Sequence, residues 1–157
     1  MKNIVWTRID DRLIHGQVMT QWIQQTSADE VLIIDNGVAK DTFIQMVMKS
    51  SVPSKIKLTV KSEEEAITYL NDESNGENII ILVKTPLTIV NIIEKGITIE
   101  SVNVGGIGAR AGRKKLYKNI SASDEELNAF RVLIDKNVDV FFRVVVTDSK
   151  ESVGKHI

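Results

Sequence analysis

The sequence predicts an α/β protein, an open and mostly parallel twisted sheet with helices on both faces, in a single domain spanning residues 1–157. Three observations carry this. Short β-rich runs alternate with helical patterns from one end of the chain to the other. Two of those runs, Val31–Ile34 and Asn78–Val83, are apolar almost throughout, as strands covered on both faces are. Ser62-Glu63-Glu64-Glu65 and Ser123-Asp124-Glu125-Glu126 are capping boxes, in which a serine oxygen and a glutamate three residues on satisfy the free amides of a helix start.

Taken in order, Asn3–Thr7 reads as the first strand. A helix over His15–Gln25 follows, with Val18, Trp22 and Ile23 on one face. Val31–Ile34 is a buried strand. Val38–Lys49 reads as a helix with Phe43, Met46 and Val47 turned inward. Ile56–Val60 is the next strand, and the first capping box starts a helix to about Asn71. After the strand Asn78–Val83, Thr85 and Pro86 supply an N-cap and a first helical residue, and Gly96 closes that helix. Ser101–Val104 is a strand ending in Gly105-Gly106. Gly105–Asn119 is expected to be an irregular surface loop. The second capping box opens a helix to about Lys136, Val138–Val146 forms the last strand, and a short helix runs from Lys150 to the end.

Composition narrows the function classes. With 43% hydrophobic and 26% charged residues, the 157-residue chain is long enough for one well-formed core. Twenty basic against 21 acidic residues, a net charge of -1, argue against general nucleic-acid binding. The absence of cysteine excludes disulfides and thiolate chemistry. The longest purely apolar run, Ile79–Val83, falls far short of the roughly 20 residues of a membrane helix. Charges at Arg8, Asp10, Asp11 and Arg12 interrupt any signal-peptide core, so a cytoplasmic location is expected.

The chemistry concentrates in Arg8-Ile9-Asp10-Asp11-Arg12-Leu13-Ile14-His15-Gly16-Gln17. In an open α/β sheet, ligands bind beyond the carboxyl ends of the strands, where this segment falls. A neutral imidazole is a nucleophile able to accept a phosphoryl group and pass it on. Guanidinium groups suit phosphate oxygens, so Arg8 and Arg12 are candidates to hold them. Asp10 or Asp11 can take the proton of one ring nitrogen and fix the tautomer of His15. His15 is expected at the start of its helix, where free amides favour an anion. Gly16 allows close backbone approach by a partner. The plainer reading makes an aspartate a helix cap and the arginines surface ion pairs.

The segment from Arg8 to Val18 resembles the active-site signature of the IIB component of the mannose/fructose/sorbose-type phosphoenolpyruvate-dependent sugar phosphotransferase system. Ser101–Gly106 with Gly112-Arg113-Lys114, and Ser121–Leu127, resemble later segments of the same family. Ile107-Gly108-Ala109 stands where members often carry Met and an aromatic residue. The resemblance implies a sheet of about seven strands and a phosphocarrier with transferase activity. His15 is then the acceptor, on Nδ1, with Arg8, Arg12 and Asp10 as its catalytic neighbours. The implied donor is the phosphohistidine of a IIA component, and the implied recipient is a sugar bound by membrane IIC and IID components. No cofactor is implied. A homodimer and peripheral association with the inner membrane face, through the partners, are compatible expectations.

Other candidates compete for a role. Gly106-Ile-Gly108-Ala-Arg-Ala111 matches G-x-G-x-x-A after a strand, which would suit a nucleotide-cofactor enzyme. However, Arg113–Lys118 does not continue as an amphipathic helix, and no P-loop is present. A non-catalytic docking module is the other rival. Arg110, Arg113 and Lys114, with Lys115 and Lys118, form a basic cluster suited to an acidic partner surface or anionic headgroups, or simply to solvent. Tyr117 is the sole aromatic there, too little for base stacking. Thr85, after a buried strand, is either near His15 or only a helix cap. His156 is given no role, Trp22 is expected in the core, and no metal site is expected.

Overall fold

The computed structural model describes residues 1–157. Its strands are β1 (Asn3–Asp10), β2 (Glu30–Ile34), β3 (Lys57–Lys61), β4 (Asn78–Val83), β5 (Ser101–Gly106), β6 (Lys114–Tyr117), β7 (Ile120–Ala122), β8 (Asp139–Phe142) and β9 (Glu151–Ser152). Its helices are α1 (Val18–Thr26), α2 (Thr42–Lys49), α3 (Glu63–Asn71), α4 (Pro86–Glu94) and α5 (Asp124–Asp135). Seven strands form one sheet in the order β3-β2-β4-β1-β5-β8-β9, parallel throughout except for the antiparallel pairing of β9 with β8. The predicted fold class is the observed one.

Connection handedness explains the layers. Right-handed crossovers put helices on opposite faces when the chain reverses its direction of travel across the sheet. From β1 to β2 to β3 the chain moves toward one edge, and from β3 onward it moves back. Accordingly Met19 and Ile23 of α1 join Val31, Ile33, Ile80 and Leu82 in one core on one face. Residues of α3, α4 and α5 join Leu32, Ile81 and Val104 in the larger core on the other. Strand β1 therefore lies between β4 and β5, whose following helices depart to the opposite face from α1. The loop after β1 opens into the crevice left by that divergence.

Several expectations need correction. Strand β1 does not stop at Thr7 but continues to Asp10, with Arg8 paired to Leu82 and Asn103 on its two sides. Helix α1 starts at Val18, not His15. The expected helix Val38–Lys49 is a 3-10 turn at Val38–Lys40 followed by α2. Asp41 breaks it by adopting extended backbone and capping α2 through the Ile44 amide at 3.0 Å. Phe43, Met46 and Val47 face solvent, Phe43 with 70% of its surface exposed, and the α2 side chain that packs against the core is Met48 instead. The expected loop Gly105–Asn119 contains β6, which pairs with β7 as an antiparallel hairpin. The last long strand ends at Phe142, where Arg143 is drawn into a turn. The terminal segment is β9 and a 3-10 turn over Val153–His156. Both capping boxes form as predicted, and Thr85 caps α4 ahead of Pro86.

Candidate functional site

The site is built around one buried carboxylate. Arg8 and Asp10 are two residues apart on β1, so their side chains leave the same face of the sheet. Trp22 of α1 lies over that face, its ring 5.4 Å from the Arg8 guanidinium carbon. Beyond Asp10 the chain turns sharply. The Asp11 amide donates to Gly106 O at 3.0 Å and the Leu13 amide to Asp10 O at 2.9 Å. Leu13 sits at φ 57, a left-handed conformation costly for a side chain with a Cβ. Burial of Leu13 and Ile14 in the α1-side core holds the turn in that conformation. Gly16, at φ 54, then lets the chain enter α1, and a Cβ there would meet nothing within 4 Å.

Asp10 is 0% exposed and every neighbour is a donor. Its Oδ1 accepts from the backbone amide and the Nε of Arg12, each at 3.1 Å. Its Oδ2 accepts from Arg12 Nη2 at 3.2 Å and Arg8 Nη2 at 3.4 Å, and lies 2.9 Å from His15 Nε2. Burial by itself pushes the Asp10 carboxyl up. The hydrogen bonds from Arg12 and His15 and the charge of Arg8 outweigh it, and the group ends below the ordinary carboxylate range. An ionised carboxylate only accepts, so the proton between it and His15 belongs to Nε2. That leaves Nδ1 without a protein partner, on a ring 26% exposed. Of the two aspartates open as tautomer-fixing groups, the geometry selects Asp10.

Arg12 is 55% exposed, and with Nε and Nη2 on Asp10, whose Oδ2 it shares with His15, its Nη1 has no protein partner. Arg8 differs. It is 1% exposed, donating from Nη1 to Asn103 Oδ1 at 2.7 Å and Arg143 O at 3.1 Å, and from Nη2 to Val144 O at 3.0 Å. Burial lowers its guanidinium from the usual value, partly countered by Asp10. The expectation that Arg8 meets phosphate oxygens is therefore corrected: its Nη1 and Nη2 are committed inside the protein. Gly105 packs flat beneath it, where a Cβ would overlap the guanidinium.

Asp11 serves as a latch. Its Oδ2 accepts from the Gly108 amide at 2.8 Å and from Arg113 Nη1 at 3.2 Å. Arg113, only 4% exposed, also forms a two-pronged pair with Glu126, both contacts at 2.9 Å, and donates to Gly108 O. It ties the β1–α1 loop to the β5–β6 loop and α5, so its expected place on a docking surface is also corrected. Arg110 and Lys114 do stay exposed. Burial raises Glu126, but the bonds from Arg113 and Ser123 bring it below its usual value. The Thr85 hydroxyl accepts from the Leu87 amide at 3.3 Å and makes no bond to His15. The Gly106–Ala111 segment leads into β6 rather than a helix N-terminus. The nucleotide-cofactor reading thus loses the element that would bind a pyrophosphate. No three His, Cys, Asp or Glu side chains converge on a possible metal position.

Asn103, Arg143 and Val144 were not singled out from the sequence, and Glu126 was read there only as part of a capping box, not as a partner of Arg113. Of the first three, Asn103 left a trace, as a lone amide in the apolar run Val102–Val104. The carbonyls of 143 and 144 carry no side-chain signal.

The fold aligns with the IIBSor domain of the sorbose permease from Klebsiella pneumoniae at TM-score 0.93, with 30% identity, over 98% of this chain and 95% of that one. Fold and site thus define the class, an α/β IIB domain of a sugar phosphotransferase system. The family model described as PTS system sorbose subfamily IIB component matches residues 4–157, and the chain belongs to that family. It is 34% identical over 152 residues to the PTS system fructose-specific EIIB component of Bacillus subtilis, covering 96% of this chain and 93% of that protein. It is 33% identical over 144 residues to the PTS system mannose-specific EIIAB component of Escherichia coli, covering 91% of this chain and 45% of that longer protein. Membership assigns the chain a phosphotransferase role in sugar uptake.

Proposed function

We propose that the chain is a phosphocarrier in which His15 Nδ1 accepts a phosphoryl group from the phosphohistidine of a IIA component. It then delivers that group to a sugar held by membrane IIC and IID components. One observation carries the reading: a fully buried, ionised carboxylate occupies Nε2 and leaves Nδ1 without a protein partner, while the same carboxylate also binds the half-exposed Arg12, whose Nη1 has no protein partner.

In this reaction the Nδ1 lone pair forms a bond to phosphorus. The donor's P–N bond breaks, and its electron pair returns to the donor ring. The transition state is loose, so positioning and charge neutralisation supply most of the rate. As the new bond forms, the His15 ring gains positive character, and the Asp10 charge across Nε2–H offsets it. Arg12 Nη1 meets the phosphoryl oxygens, and Arg8 holds Asp10 from behind. In the second transfer the sugar hydroxyl oxygen attacks phosphorus and the P–Nδ1 bond breaks. Its hydroxyl proton passes to a base on the membrane side. The Escherichia coli mannose-specific EIIAB relative joins A and B components in one protein, which supports a IIA partner. Exposed Arg110 and Lys114 fit an acidic rim on that partner. No helix here is long and apolar enough to cross a membrane, which accords with membrane contact through partners.

Incubation with a phosphorylated IIA component, followed by mass spectrometry, tests this. The expected result is an adduct of about 80 Da on His15, labile in acid and stable in base, and absent in His15→Ala. No adduct, or one on another residue, overturns it.

A further inference from the structure

Asn103 is a buried amide in the middle of β5, and it holds two things at once. Its Oδ1 accepts from Arg8 Nη1 at 2.7 Å, and its Nδ2 donates to Arg143 O at 3.0 Å. That same carbonyl accepts from Arg8 Nη1, and Val144 O accepts from Arg8 Nη2. The two carbonyls face inward because the turn after β8 closes on itself. Arg143 donates from Nε to Asp148 O at 2.8 Å and from Nη2 to Val146 O at 2.6 Å. The Asp148 carboxylate accepts from the amides of Val144 and Val145, both at 3.2 Å.

The consequence lies in one oxygen. Asp10 Oδ2 is shared by Arg8, Arg12 and His15, and the Arg8 contact is the longest of the three, at 3.4 Å against 3.2 and 2.9 Å. A guanidinium buried beside a carboxylate closes to about 2.8 Å when nothing restrains it. Three neutral acceptors on its other side draw Arg8 back and leave the short contact at Oδ2 to His15.

We infer that Asn103 and the Arg143–Asp148 turn are positioning elements for His15, restraining Arg8 so that Asp10 Oδ2 stays available to the ring's Nε2. The inference rests on the reading of His15 as the phosphoryl acceptor. Asn103→Leu removes the acceptor at similar volume. Arg8 then competes for Oδ2, and His15 loses the bond that fixes its tautomer.

The test pairs two measurements on the full chain. Imidazole 15N NMR reports the tautomer without any donor. Phosphorylation by a phosphorylated IIA component reports the rate and, in the wild type, whether His15 is the acceptor at all. The wild-type ring should be protonated on Nε2. Asn103→Leu should show mixed tautomers and transfer roughly 10- to 100-fold more slowly, the scale of effect for a small misplacement of a reacting group. Asn103→Asp keeps the acceptor for Arg8 and loses the donor to Arg143 O. It should recover the wild-type tautomer and most of the rate. If Asn103→Leu does not fold, Asp148→Ala, which loosens the turn from its half-buried rim, is expected to move both readouts in the same direction and decides the matter. A lower melting temperature with unaltered tautomer and rate overturns the inference. Absence of phosphate on wild-type His15 overturns the functional reading instead, with the tautomer result still standing.

Discussion

Arg8 and Arg12 grip the same carboxylate, and they live in different media. Arg8 lies in the interior between β1, β5 and the turn after β8, while Arg12 stands more than half exposed at the mouth of the site. The inner one has given Nη1 and Nη2 to fixed acceptors. The outer one shares Nε and Nη2 with Asp10, and its Nη1 has no protein partner. The lesson is that charge near a site has two separable uses. A buried guanidinium holds a carboxylate in place and ionised, and an exposed one keeps a donor open to solvent, the donor that the proposed function assigns to the phosphoryl group.

Removing the shared carboxylate should break both sides at once and give the largest effect. Asp10→Asn frees Nε2 of its anionic partner and leaves Arg8 buried with its charge unmatched, a situation that costs about 3–5 kcal/mol. Transfer to His15 should fall at least about 100-fold, in line with losing electrostatic stabilisation at a reacting group. A phosphotransfer assay and urea denaturation measure the two. The same carboxylate governs acid stability. Its pKa lies below the unfolded value, so its contribution is fully present above about pH 4 and is lost as pH falls through the folded value. Stability of the wild type should therefore drop on acidification below about pH 4, and Asp10→Asn should flatten that limb.

The inner side comes next. Arg8→Met keeps most of the volume and removes the charge, leaving Asp10, Asn103 and two carbonyls short of a donor. A loss of roughly 2–4 kcal/mol in denaturation is expected, with slower transfer following from a displaced Asp10. Native stability in that variant would show that the interior network holds nothing in place. The outer side should give the smallest structural effect. Arg12→Lys keeps the charge and loses the planar fork, so stability should change by less than about 1 kcal/mol. Transfer should slow by about 10-fold, since a point charge cannot bind Asp10 and a phosphoryl oxygen together. Equal melting losses in the Arg8 and Arg12 variants would erase the distinction between the two sides.

Much of the architecture was legible. Apolar runs at Val31–Ile34 and Ile79–Val83 became β2 and the core of β4, and both capping boxes formed, because these signals depend on neighbours within a few residues. His15 and its loop were legible for the same reason. The end of β1 was not, since Arg8 and Asp10 read as solvent-facing until the strands beside them are known. Helix α2 misled in the other direction. Phe43, Met46 and Val47 carry the spacing of an inward face, yet α2 turns them to solvent and packs Met48 against the core. Arg113 resembled a surface cation until α5 brought Glu126 to it.

By itself, then, the order of residues determined the alternation of strands and helices, the helix starts, and the grouping of Arg8, Asp10, Arg12 and His15 into one short segment. Periodicity and capping are local physics. The residues' own chemistry left open which arginine is inside, which aspartate meets the histidine and which ring nitrogen is engaged; the family resemblance pointed to Asp10 and Nδ1, and the contacts themselves come only from the tertiary structure. Those outcomes depend on acceptors that Arg8 finds 95 and 135 residues further along the chain. A charge can be buried only where such distant groups converge to replace the water it gives up.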